Sequence, residues 1–220
     1  MSISKNLRSI KSSIPENVTL VAVSKTKPVS DLMEAYNAGQ RIFGENKIQE
    51  MVEKHEQMPK DIQWHMIGHV QRNKVKYMAE FVNLIHGVDS FKLLKEINKQ
   101  AKKHDRIINC LLQIKIADEE SKFGMSADEA STLLQSDEFS ELKNIHVVGL
   151  MGMATFTSNM KQVKNEFDYL RSTSEKLKTL NPNLLTISMG MSGDYQLAIE
   201  CGSTMIRVGS SIFGARNYTN

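Results

Sequence analysis

A few residue types in this chain could do covalent and anion-binding chemistry, and their spacing places them at element ends. Lys25 lies in Thr19-Leu20-Val21-Ala22-Val23-Ser24-Lys25-Thr26-Lys27-Pro28, where an uncharged run delivers an amine just before a proline. A lysine beside an apolar wall can attack a carbonyl as a neutral amine. Two Gly/Ser turns, Ser188-Met189-Gly190-Met191-Ser192-Gly193-Asp194 and Arg207-Val208-Gly209-Ser210-Ser211, lie near the other end of the chain. Glycines let backbone N–H groups approach an anion, and serine hydroxyls add donors. Amine and anion cup together ask for a phosphorylated carbonyl compound.

The elements that must hold these residues alternate. Ile3, Leu7, Ile10 and Ile14 mark a first helix ending before Pro15. Strand one follows, and Pro28 should end it near Lys25 or Thr26. A helix from about Ser30 stops at Gly39, and Ile48, Met51 and Val52 begin another. Further strands are expected at Arg41 to Asn46, Ile62 to Gly68, Phe81 to Val88, Ile107 to Ile116, Val147 to Met151, Leu184 to Ser188 and Met205 to Val208. Between them lie helical stripes at Val75 and Met78, at Leu93 to Ala101, after a Ser126/Glu129 capping box, after an Asn159/Gln162 cap, and near Tyr195 to Ile199. Eight strands alternating with helices predict an α/β fold, a single (β/α)8 TIM barrel with an extra N-terminal helix, spanning 1–220 as one domain. A doubly wound open sheet is the alternative, but the first turn has no glycine for a dinucleotide site.

In a barrel, residues just past each strand share one rim, where ligands bind. That rim would collect Lys25, Glu45, Asn46, His65 to His69, Asp89, Asp118 with Glu119, Met151 to Met153, Ser192, Gly193 and Arg207 to Ser210. Met151, Met189 and Met191 are expected to wall the pocket. Two classes fit: a Schiff-base aldolase acting on a phosphorylated sugar, or a protein holding pyridoxal 5′-phosphate (PLP). An arginine directed at a pyridine nitrogen disfavours its protonation and weakens the ring as an electron sink. Arg207 in that place would suit a PLP protein that does little carbanion chemistry.

Six separated motifs then resemble the pyridoxal phosphate homeostasis proteins, which look like the barrel domain of alanine racemase standing alone. They are Ala22 to Pro28, Phe43-Gly44-Glu45-Asn46, Trp64 to Gly68, Gly149-Leu150-Met151, Ser188 to Ser192, and Arg207-Val208-Gly209 with Ile212 to Arg216. The resemblance implies that Lys25 forms an internal aldimine, that Arg207 faces the pyridine nitrogen, and that Ser192, Gly209 and Ser210 hold the phosphate. Asn46 would lie against the cofactor, with His65, Met151 and Gly193 completing the site. His69 and Gly193 depart from the pattern of many relatives. The implied role is intracellular PLP (vitamin B6) and amino-acid homeostasis, with PLP-dependent apo-enzymes as candidate recipients. Without the second domain that supplies alanine racemase's tyrosine, a racemase of low activity is the enzyme alternative, and a monomer is expected.

Composition narrows the partners. A net charge of +3 and few aromatics argue against nucleic acid, and no apolar run reaches the roughly 20 residues of a membrane span. Cys110 and Cys201, the two cysteines, suggest neither a disulfide framework nor a zinc site, so a reducing, cytoplasmic setting is expected. His65 and His69 have i, i+4 spacing but straddle a strand end, which removes the helix face a metal pair needs. Asp118-Glu119-Glu120 reads as a solvated loop paired with a neighbour such as Lys122. Lys27 is the rival amine, less well held than Lys25.

Overall fold

The computed structural model describes residues 2–117 and 123–215. Eight strands form a closed parallel barrel in sequence order: β1 Thr19–Val23, β2 Ile42–Glu45, β3 Gln63–Met66, β4 Val82–Val88, β5 Ile108–Gln113, β6 Ile145–Met151, β7 Thr186–Ser188 and β8 Met205–Val208. The seam closes where β1 pairs with β8, placing Val21 beside Arg207 and Ala22 beside Val208. The expected TIM barrel is therefore the observed fold.

Period-2 alternation sorts each strand into two faces. Leu20, Ala22, Phe43, Trp64, Ile85, Leu112, Leu150 and Val208 point outward and pack against the helices. Val21, Leu84, Leu111, Met151 and Met205 point inward and fill the barrel. Each such side chain taken from water contributes roughly 1.5–3 kcal/mol, enough to fix the register wherever one face is buried.

The helices on the outside are α1 Ile3–Ser13, α2 Val29–Asn37, α3 Ile48–Gln57, α4 Phe91–Lys103, α5 Ala127–Gln135, α6 Asp137–Ser140, α7 Met160–Lys178, α8 Tyr195–Glu200 and α9 Ser210–Phe213. Their starts follow side-chain chemistry. Ser126 and Glu129 make the reciprocal capping box at α5, and Asn159 accepts from the Gln162 N–H at α7. The helical stripe at Val75 and Met78 forms a short 3₁₀ helix, Arg72–Tyr77. The stripe expected near Tyr195 to Ile199 forms α8, which begins at Tyr195 because Ser192 to Asp194 form a turn whose Asp194 Oδ1 accepts from the Met191 N–H at 2.5 Å.

That turn depends on Gly190. Its φ is +97°, and a Cβ there would lie 2.6 Å from the Ala198 Cβ and 3.0 Å from the Tyr195 Cα. The Gly190 carbonyl also accepts from the Arg207 N–H at 2.9 Å, so one residue sets both α8 and the start of the arginine. Gly190→Ala should lower unfolding free energy by about 2–4 kcal/mol through combined strain and overpacking. Urea denaturation measures this, and an unchanged midpoint would show that the turn absorbs the methyl group.

Candidate functional site

Because Val21 points inward, Val23 and Lys25 continue on the same side, and both line a cavity of about 710 Å³ at the carboxyl ends of the strands. Asn46, His69, Ser192, Gly193, Arg207, Gly209 and Ser210 line it as well. Lys27 reaches the same space, but its Nζ donates to the Phe213 and Ala215 carbonyls at 2.8 and 3.1 Å, at the end of α9.

The neighbouring wall, beyond β8, is an acceptor-and-donor turn. Ser192 Oγ accepts from the Gly209 N–H at 3.2 Å and, at longer range, from the Ser211 N–H at 3.5 Å. Two peptide donors from the β8–α9 turn thus already converge on one oxygen, the arrangement an anionic oxygen would need. Gly193 has nothing within 4 Å of where a Cβ would be, so its departure from the family pattern leaves room to spare. Asn46 is placed by Gly68: a Cβ there would stand 2.4 Å from the Asn46 carbonyl oxygen, so only glycine lets the two loops lie this close.

Arg207 is buried, with Nη1 donating to Ser188 Oγ at 2.6 Å and Nη2 to the Gly152 carbonyl at 3.1 Å. Burial pulls it down to about 10, opposed by the attraction of Asp194, and it remains a cation at neutral pH. Behind it runs a chain of neutral partners: Ser188 Oγ lies 3.0 Å from His86 Nδ1, and His86 Nε2 lies 3.0 Å from His65 Nδ1. Arg207 can only donate, so the Ser188 proton can turn to His86, whose Nε2–H then donates to His65. Burial lowers His65 to about 3 and holds His86 well below its usual value, where a second proton would also meet His65 and the Arg207 cation.

Several expected positions are relocated. His65 and Met151 do not line the cavity: His65 is one step deeper, bonded to His86, and Met151 fills the barrel interior with Val21 and Met205. Met189 packs on the outer face, while Met191 does wall the cavity. Glu45 faces α3 and pairs with Lys54 at 2.7 Å, away from the rim. Asp89 sits 3.2 Å from His69, and the His69 ring stacks on Phe123 at 4.2 Å. Asp118, Glu119, Glu120, Lys122 and Arg216 lie outside the described residues. Among the described residues, no group of three or more His, Cys, Asp or Glu could hold a metal.

The structure adds residues that the motif reading passed over. Gln113 lines the cavity and donates to the Phe123 carbonyl at 3.0 Å. Phe156, 93 % exposed, stands at the mouth. Glu166 of α7 anchors that loop, accepting from the Thr155 N–H and hydroxyl, each at 2.7 Å. Strand parity was the available signal for Gln113 and His86, since each follows an inward leucine by two residues.

Fold and cavity define a (β/α)8 barrel that presents a lysine from strand one beside a Gly/Ser turn after strand eight. The family model for the alanine racemase N-terminal domain matches residues 1–217, and the chain belongs to that family. Within it, a pyridoxal phosphate homeostasis protein of Haemophilus influenzae is 42% identical over 207 residues, 92% of this chain and 86% of the relative. PipY of Synechococcus elongatus, solved with PLP bound, is 34% identical with a TM-score of 0.89, covering 97% of this chain and 100% of that one. An alanine racemase of Clostridium difficile shares the fold, with a TM-score of 0.81 at 15% identity over 99% of this chain and 61% of its own length.

The two buried histidines generate a pH dependence with a definite sign. Their folded pKa values are depressed, so unfolding takes up protons that the barrel refuses. Stability is complete above about pH 6.5 and falls below it, by up to about 1.4 kcal/mol per pH unit for each histidine. His86→Gln should therefore flatten the decline in urea midpoint between about pH 7 and pH 5. Equal slopes in the two proteins would show that His86 carries none of it.

Proposed function

We propose that this protein binds pyridoxal 5′-phosphate, held through a Schiff base on Lys25, and acts in intracellular PLP and amino-acid homeostasis. The observation that carries this reading is that Lys25, Arg207 and the Ser192/Gly209 turn open onto one cavity. The residues fit the group. Lys25 supplies the amine, and Ser192, Gly193, Gly209 and Ser210 supply the phosphate cup. Asn46 lies alongside, and Arg207 meets the pyridine nitrogen. When bound, PLP supplies a carbonyl and an electron sink.

The protein's own groups restrain that sink. Arg207 can only donate hydrogen bonds, and behind it stand two histidines kept neutral by burial. A ring nitrogen facing a fixed cation stays unprotonated, so the site holds its ligand more readily than it turns substrate over. His65 acts here through the chain to Arg207, and Met151 by filling the barrel beneath. PLP-dependent apo-enzymes are the partners we assign, with the chain acting as a cytoplasmic monomer of one domain. No described helix is long and apolar enough to cross a membrane. A net charge of +3 gives no large basic field for nucleic acid.

Added PLP should give the purified protein a visible absorption band that borohydride removes, leaving a pyridoxyl mass on Lys25. Lys25→Ala should lose the band at stoichiometric PLP, whereas Lys27→Ala should keep it. Turnover of alanine or of phosphorylated sugars should not exceed that of free PLP. A protein that stays colourless with excess PLP would end the proposal, and turnover well above free PLP would recast it as an enzyme.

A further inference from the structure

Behind Lys25, on the face turned away from the cavity, lies a buried charge cluster that the binding site does not use. Lys54 of α3 is 5% exposed, and its three donors reach three acceptors at 2.7 Å each: Glu45 Oε1, Glu50 Oε1 and the backbone carbonyl of Ser24. Glu50 Oε1 accepts in addition from the Thr26 N–H at 2.5 Å. Ser24 Oγ donates to Glu45 Oε1 at 2.6 Å. The carbonyl before Lys25 and the amide after it are therefore both gripped from one helix.

The grip coincides with an unusual backbone. Thr26 has φ +64°, the left-handed region that a β-branched residue rarely adopts. Such a conformation persists only where its surroundings over-determine it. The turn at Lys25 and Thr26 ends β1 and sets the direction in which the Lys25 side chain leaves the strand. Stability alone would be served as well by apolar residues at these positions, since buried ion pairs rarely gain over well-packed hydrophobic ones. What an ammonium and a carboxylate add is direction: each bond ends on a specific peptide group beside Lys25.

We infer that Lys54 and Glu50 are positioning residues, clamping the Ser24 carbonyl and the Thr26 amide so that Lys25 is aimed at its carbonyl ligand. The inference rests on the PLP reading above. The clamp acts on the backbone, from outside the barrel, and touches neither ligand nor cavity.

The test is the stopped-flow rate of Schiff-base formation with PLP, together with the visible circular dichroism of the product, which reports the geometry at the linkage. Lys54→Met and Glu50→Leu should slow linkage by at least about tenfold and alter the dichroism, as expected when a reacting group is misplaced. Glu50→Gln keeps an acceptor for the Thr26 N–H and should restore most of the rate. Glu50 is 22% exposed, so its two variants carry the test if Lys54→Met does not fold. Folded variants with wild-type rates and dichroism would overturn the clamp while leaving the PLP reading intact. Equal slowing by Glu50→Gln and Glu50→Leu would also overturn it, because hydrogen bonding to Thr26 would then be irrelevant. A wild-type protein that forms no linkage would remove both.

Discussion

The pleat of β1 is the constraint on which the site depends. Successive residues must face opposite sides, so a register that buries Val21 inside the barrel sends Val23 and Lys25 the same way and Ser24 the other. One slip would exchange the amine for a hydroxyl. Pairing on both flanks, with β8 on one side and β2 on the other, forbids that slip. The same rule acts on β8, where Met205, Arg207 and Gly209 share the inner side, and it sets an apolar level beneath a polar one beneath the cavity.

Polar groups buried in that middle level are tolerated because each is satisfied. An arginine inside a barrel would be costly if unpaired, yet two of its nitrogens have partners, and the groups beyond them carry no charge of their own. Two neutral histidines extend the network without adding repulsion. The Lys54 cluster follows similar logic on the outer face, with a difference: Glu45 Oε2 is buried without a hydrogen-bond partner. Burial pushes Glu45 up to about 6 against the pull of Lys54. Electrostatic tension is thus concentrated beside β1 and β2, next to the amine.

The barrel was legible because its signals are local. Apolar runs, the Ser126 and Asn159 caps and the left-handed Gly39 are each written in a few adjacent residues. The lysine and the two Gly/Ser turns were legible for the same reason. Depth was not. His65 and Met151 were placed at the rim because they lie at strand ends, but strands enter a barrel at staggered heights, and β3/β4 and β5/β6 shift register along their length. Ser188, read only as the end of strand seven and the start of a Gly/Ser stretch, serves as the acceptor behind Arg207. The clamp on Lys25 was unreadable, since it joins residues 24 to 30 positions apart through a helix whose rotation no single-sequence pattern fixes.

The bond from Lys27 to the carbonyls closing α9 crosses the seam between the first and last strands. Lys25 and the Gly209 turn therefore stand on two neighbouring strands, stitched together below by backbone pairing and above by that side chain. Their separation is a fixed span. On the proposed reading, the site would work as a gauge, admitting a molecule only when the distance from its carbonyl carbon to its phosphate matches the gap between two adjacent strands.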